Sequence, residues 1–215
     1  MRGAPFEVRM SDVLALTVRD FLTDTAARQP TPGGGSVAAL CGALAASLGA
    51  MAVEYTLGKK TYAPYDAELR ASLARFANAS RMLQELVAED IAAYEGLSQL
   101  LKLPEQERLG HPDFIPALVA AIRVPQTAGG FALDVLETCG TLVEKTSKFL
   151  VSDLGIAATY AHATVLASEF NVLVNLPLLP DPAEAAAVRQ SLAQASARAQ
   201  QLFPAIREGV VRRIA

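Results

Sequence analysis

The chain has 215 residues, of which 52% are apolar and 19% charged, with a formal net charge of −3. That length supports one large domain or two small ones with a sizeable core, and the apolar excess leaves surface for a subunit interface. Mild acidity without a basic stripe excludes nucleic acid as the main partner.

Taken in order, the chain reads as helix nearly throughout, with no long alternating strand run. Residues 17–29 place Val18, Phe21, Leu22 and Thr25 on one helical face, and Pro30 ends it. Pro30-Thr31-Pro32-Gly33-Gly34-Gly35-Ser36 then forms a glycine turn. The prolines bar a preceding helix, the glycines permit close approach, and Ser36 is a suitable N-cap. Residues 37–53 are a charge-free run of 17, with Val37, Leu40, Leu44, Leu48 and Met51 at helical steps. Gly42, Ala46 and Gly49 keep one side of it flat for helix contact. Alanine and glycine dominate the run, and it sits at the short end of a spanning segment, so it reads as a core helix rather than a membrane helix.

Gly58-Lys59-Lys60 stops that helix, the lysines facing its negative pole. Pro64 and Asp66 open the longest periodic segment, 66–102, which Pro104 breaks, and 105–110 reads as a charged turn. His111-Pro112-Asp113 and Pro116 start a helix to Arg123. Pro125 resets the chain, and a helix over 126–150 follows, with Gly129-Gly130 near its start. Ser152-Asp153 caps a helix to Asn171. Residues 176–182 are a rigid apolar connector, and Pro182 opens an alanine-rich closing helix to Ile214. Long helices with short joints describe an all-α, multi-helix bundle occupying 1–215 as a single helical domain.

Chemistry concentrates in few places. Two cysteines, Cys41 and Cys139, read as buried thiols of a reducing, cytoplasmic compartment. His111 and His162 lack metal spacing, so no metal site is expected. The first eight residues are too short and mixed for a signal peptide. Asp90 falls in the middle of the apolar stripe formed by Leu83, Leu86, Val87, Tyr94, Leu97 and Leu101, whereas Arg81, Glu85 and Glu89 point away. A carboxylate there is either paired structurally or tuned towards neutrality for proton transfer. The glycine turn offers helix amides to an anion or polar ring edge, or serves close packing alone. Lys59 and Lys60 suit a carboxylate tail or a solvated helix end. Ser152 and Asp153 suit capping; His162 and Glu169 share a flank, where a satisfied histidine outweighs a proton shuttle. Asn171 and Asn175 could read a heterocycle or cap their helix.

The segment from Pro30 to Leu40 closely resembles the signature of the formiminotetrahydrofolate cyclodeaminase / methenyltetrahydrofolate cyclohydrolase family. Thr17-Val18-Arg19-Asp20-Phe21-Leu22, Glu89-Asp90-Ile91-Ala92-Ala93-Tyr94, Val124-Pro125, Ser152-Asp153-Leu154-Gly155 and Asn171-Val172-Leu173-Val174-Asn175-Leu176 follow in the family's order. The resemblance implies an all-helical homodimer acting on a tetrahydrofolate derivative as substrate, without a tightly bound cofactor. It implies Asp90 as the catalytic group and a folate cleft of Gly33, Gly34, Gly35, Ser36, Lys59, Lys60, Ser152, Asp153, Asn171 and Asn175. The implied reaction cyclises 5-formiminotetrahydrofolate to 5,10-methenyltetrahydrofolate with loss of ammonia. Methenyltetrahydrofolate cyclohydrolase is the alternative, and a non-catalytic folate-binding or scaffold protein the alternative of another class. A formiminotransferase partner would be a separate chain. One stretch departs from the pattern: Thr146-Ser147-Lys148-Phe149-Leu150-Val151 replaces the family's asparagine-containing approach to Ser152.

Overall fold

In the computed structural model, which describes residues 13–215, seven α-helices follow one another and no strand occurs among the described residues. The opening octapeptide and its signal-peptide reading lie outside them. The helices are α1 (Val18–Ala26), α2 (Gly34–Glu54), α3 (Asp66–Leu101), α4 (Glu105–Gly110), α5 (Phe114–Leu142), α6 (Val151–Leu173) and α7 (Pro182–Ile214). The all-α expectation holds.

α2 is enclosed by α3, α5 and α6, and its packing reverses the expected face. Val37 and Leu44 are 40% and 54% exposed, whereas Ala38, Ala39, Gly42, Ala45, Ala46 and Gly49 are buried. The inward faces are made of small residues because neighbouring axes come close. A Cβ on Gly42 would meet Leu83 and Thr164 at 3.1 Å, and one on Gly49 would meet the Phe76 ring at 2.8 Å. Helix separation follows side-chain size at the contact, so alanine and glycine belong inside and the larger residues are left facing out. By length and composition α2 could cross a membrane; here its small-residue faces are buried against protein.

The break expected at Pro125 does not occur, and α5 runs straight through it to end at Leu142 rather than near 150. A proline inside a helix leaves the carbonyl four residues earlier without a donor. That carbonyl belongs to Ala121, and the Asn175 side-chain amide donates to it at 3.3 Å. The lost helical bond is thus replaced from outside the helix, and Pro125 itself is buried in the core.

Other boundaries shift for local reasons. Gly33, in extended conformation, caps α2 in place of Ser36, and Leu150 precedes α6 in place of Ser152. Ser152 and Asp153 lie within the first turn of α6 instead. Residues 105–110 close into the short α4, which buries nothing. Gly58 takes a left-handed φ of 76° in the turn after α2, a conformation that favours glycine. α1 is capped by Thr17, whose hydroxyl accepts the Asp20 amide at 3.1 Å, and it ends at Ala26. Its apolar face finds little among the described residues: Val18 is 79% and Leu22 62% exposed, while Phe21 packs against the core. A second, smaller apolar cluster, including Leu97, Phe114, Leu118 and Val172, consolidates the end of the bundle where α3 overhangs α2.

Candidate functional site

The start of α2 and the middle of α3 meet at one point. Pro30 and Pro32 keep the approach to α2 out of helix, with a cis peptide bond between Thr31 and Pro32; Gly33 caps the helix, and Gly34, Gly35 and Ser36 form its first turn. α3 runs antiparallel to α2, Phe76 lying on Gly49, Leu83 on Gly42 and Asp90 on Gly35. A Cβ at Gly35 would stand 1.9 Å from Asp90 Oδ1, so only glycine admits the carboxylate this close. The fully buried Ser36 donates its hydroxyl to Asp90 Oδ2 at 2.7 Å.

Two effects oppose each other on Asp90. Burial raises its carboxyl above the usual range, while the Ser36 hydroxyl and backbone amide hold it down; burial wins. The amide is one of the donors that a helix start leaves without intrahelical partners. Asp90 is therefore a half-buried acid held in a fixed orientation, biased towards accepting and keeping a proton.

A cavity of about 660 Å³ opens beside this pair. Glycines 33–35, Asp90 and Asn171 line one part, and Tyr94, Leu97, Leu101 and Val174 supply an apolar wall. The Asn171 amide donates to Ala167 O at 3.0 Å, and its Oδ1 is the atom that a Cβ at Gly34 would meet at 3.1 Å. Asn175 also lines the cavity, with its amide engaged by Ala121 O and Asn171 O. Among the expected site residues, Gly33, Gly34, Gly35, Asp90, Asn171 and Asn175 thus share one cavity, and Ser36 supports it from behind.

Lys59, Lys60, Ser152 and Asp153 do not join them in this chain. α2 and α6 are antiparallel, with Gly34 beside Asn171 at one end and Thr56 Oγ1 accepting the Ser147 amide at the other. Lys59 donates to Ser147 Oγ at 2.9 Å at that far end, and Lys60 opens the turn leading to α3. The 21 residues of α2 separate the two ends by about 30 Å. The divergent stretch 146–151 belongs to the far end as well. His162 stacks on Phe203 with ring centroids 4.6 Å apart, and burial lowers its pKa. Glu169 accepts the Ser196 hydroxyl at 2.5 Å, and neither residue lines the cavity. Cys139 is buried, its thiol pushed up to about 12 by desolvation, but Cys41 is only half-buried, against expectation.

Sequence reasoning passed over Thr31, Ser98 and Lys102, which also line the cavity. The signal for two of them was present: positions 90, 94, 97, 98, 101 and 102 continue one face of α3 past Asp90. Tyr94 and Leu101 were expected as core on that face; they are 46% and 38% exposed because α2 has already ended there.

The formiminotransferase-cyclodeaminase family model matches residues 17–194. A methenyltetrahydrofolate cyclohydrolase from Methylorubrum extorquens is 30% identical over 202 residues, covering 90% of this chain and 97% of that protein. The formimidoyltransferase-cyclodeaminase of Mus musculus is 31% identical over 179 residues, or 79% of this chain, which matches only 32% of that longer protein. The crystal structure of formiminotetrahydrofolate cyclodeaminase from Thermotoga maritima superposes with a TM-score of 0.86 at 27% identity, covering 95% of this chain and 100% of that one. The glycine turn over a half-buried aspartate therefore sits in a helical fold of known kind, and the chain belongs to the formiminotransferase-cyclodeaminase family.

Proposed function

We propose that the chain is a folate one-carbon enzyme that cyclises 5-formiminotetrahydrofolate to 5,10-methenyltetrahydrofolate with release of ammonia. The observation that carries this reading is the Asp90 carboxylate, raised by burial yet oriented by Ser36 at the wall of the cavity. Nitrogen 10 of the substrate attacks the carbon of the protonated formimino group, whose exocyclic nitrogen already carries two hydrogens, and forms the second carbon–nitrogen bond of the ring. Asp90 accepts the proton that nitrogen 10 sheds and returns it to the exocyclic nitrogen. The bond from carbon to that nitrogen breaks, and ammonia departs. A raised carboxyl suits both halves of this transfer, since it must bind and release a proton near neutrality. The apolar wall holds the flat rings and excludes water from the adduct.

The cyclohydrolase reading stands second, favoured by the near full-length match to the Methylorubrum protein. There Asp90 takes a proton from water as it adds to the methenyl carbon. The two separate in one experiment. Purified protein is mixed with 5-formiminotetrahydrofolate, and the methenyl chromophore and ammonia are followed together. Appearance of both supports cyclodeaminase. If neither appears and added methenyltetrahydrofolate loses its chromophore faster than in buffer, cyclohydrolase replaces it. No change in either assay sinks both, leaving the non-catalytic binding protein.

We further propose that the working unit is a homodimer. Val37 and Leu44 of α2, Tyr55 at its C-cap, and Ile156, Tyr160 and Phe170 of α6 are exposed large side chains on two adjacent helices and their ends. An antiparallel pairing of two copies on this face brings Lys59, Lys60, Ser152 and Asp153 of a second copy to the glycine turn of the first. One face then unites the residues that a single chain separates. Leu44→Glu places a charge at the midpoint and is expected to give monomers by sedimentation. A dimer unaffected by it puts the interface elsewhere.

A further inference from the structure

The cavity has a direction. Asp90, Ala93, Tyr94, Leu97 and Leu101 of α3 line it, followed by Lys102, the residue that caps the helix. Lys102 lies twelve positions after Asp90, at the cap of α3, a span of about 18 Å. The stretch between the two charges is chiefly apolar. Among the described residues Lys102 is the one cation in the lining, and its ammonium donates to the Gln99 side chain at 3.0 Å, leaving further donors for a ligand.

We propose that Lys102 is the specificity-determining contact for the anionic tail of the substrate, which lies along α3 with its reacting carbon at Asp90. This rests on the folate reading above and names the end of the cavity that takes the glutamate carboxylates. A reduced folate carries its one-carbon unit between two ring systems and its carboxylates at the opposite end, beyond an aromatic ring. An acid, an apolar wall and a cation, in that order along one helix, match that sequence of groups. Lys59 and Lys60 were the sequence's candidates for the tail. Lys59 is engaged with Ser147 at the far end of α2 and Lys60 opens the turn beside it, so neither lines this cavity, whereas Lys102 does.

The test uses two substrates of whichever activity the wild type shows: the glutamyl form and the corresponding pteroate, which lacks the glutamate. The wild type is expected to have the lower KM for the glutamyl form, with that advantage shrinking as salt is raised. Lys102→Ala should raise the glutamyl KM about threefold to fivefold and Lys102→Glu about tenfold, and Lys102→Arg should recover most of it. The effect falls on KM rather than kcat, and the pteroate KM stays within twofold or so, since it has no carboxylate to lose. If the ratio of the two KM values is the same in wild type and Lys102→Glu, the tail contact is wrong while the folate reading survives. If the wild type turns over neither substrate, the folate reading falls and takes the contact with it.

Discussion

Replacing Gly35 with alanine places a methyl group 1.9 Å from Asp90 Oδ1, 2.5 Å from its Cγ and 2.7 Å from its Oδ2. Ordinary contact begins at 3.4 Å, so the carboxylate must retreat by about 1.5 Å along that line. It cannot do so and keep the 2.7 Å bond from the buried Ser36 hydroxyl. Loss of a hydrogen bond to a charged group costs about 1.5–3 kcal/mol. The better helix propensity of alanine offsets about 1 kcal/mol of that, leaving a drop in Tm of roughly 2–6 °C for a chain of this size. Turnover suffers more, because a general base displaced by over 1 Å loses about a hundredfold or more. Gly34→Ala is the graded control: its Cβ meets only the end of the Asn171 side chain at 3.1 Å, and a turnover loss of less than about tenfold is expected. Gly130→Ala, whose Cβ would meet nothing within 4 Å, should leave the rate at wild type and raise Tm by about 2–4 °C through helix propensity alone. Steady-state turnover and thermal melting of the three variants decide the matter. If Gly35→Ala turns over like Gly130→Ala, the close seat of Asp90 on the glycine turn has no part in the chemistry.

Asp90→Asn should cut kcat by about 10²–10⁴ with the fold intact, and circular dichroism with turnover checks both. Because burial raises the folded carboxyl, its ionised form costs stability as pH rises through the raised value. Asp90→Asn should therefore gain Tm over the wild type above that pH and lose the advantage below the usual carboxylate range; a gain that grows on acidification contradicts the burial argument. Ser36→Ala removes a bond that holds the carboxyl down, so the limb of the pH–rate profile that reports Asp90 should move to higher pH. A limb that stays in place separates Ser36 from Asp90's titration. Gly49→Ala drives a methyl into the Phe76 ring at 2.8 Å and should cost about 1–3 kcal/mol by denaturant unfolding. Its effect on kcat should be small, because the clash lies four turns from Asp90.

The helix count of the long elements was legible because proline and glycine punctuate this chain strongly, and α7 begins and ends where Pro182 and Ile214 foretold. Pro125 shows the limit of that punctuation. Whether a proline ends a helix depends on who takes the orphaned carbonyl, and Asn175, fifty residues further on, is invisible to local reading. The face of α2 was misjudged for a related reason. Periodicity gives the spacing of large side chains, but whether large or small ones face inward depends on how many neighbours crowd the helix. Asp90 was legible because a carboxylate on an apolar stripe contradicts its surroundings and demands an explanation. Its partner was not, since Ser36 fitted a cap equally well on local grounds; only the antiparallel register of α2 and α3 brings it to Oδ2. Lys102 was hidden by the assumption that the stripe on α3 stays core to its end.

The separation of Lys59, Lys60, Ser152 and Asp153 from Asp90 turns the dimer into a question that activity can answer. If each site draws on Asp90 of one copy and Ser152 and Asp153 of another, a chain defective at Asp90 and a chain defective at Ser152 and Asp153 can complement each other. In a hybrid pair, one site receives both defects and the other receives none. Random reassociation of equal amounts makes half the dimers hybrid, so mixing two inactive preparations should restore about a quarter of the wild-type rate. The variants Asp90→Asn and Ser152→Ala/Asp153→Asn are dissociated, mixed and reassociated, then compared with each variant treated alone. Recovery near a quarter cannot come from monomeric sites, because no single chain then carries an intact set. A mixture no more active than its components would confine the site to one chain and leave Ser152 and Asp153 as first-turn residues of α6 with no part in catalysis.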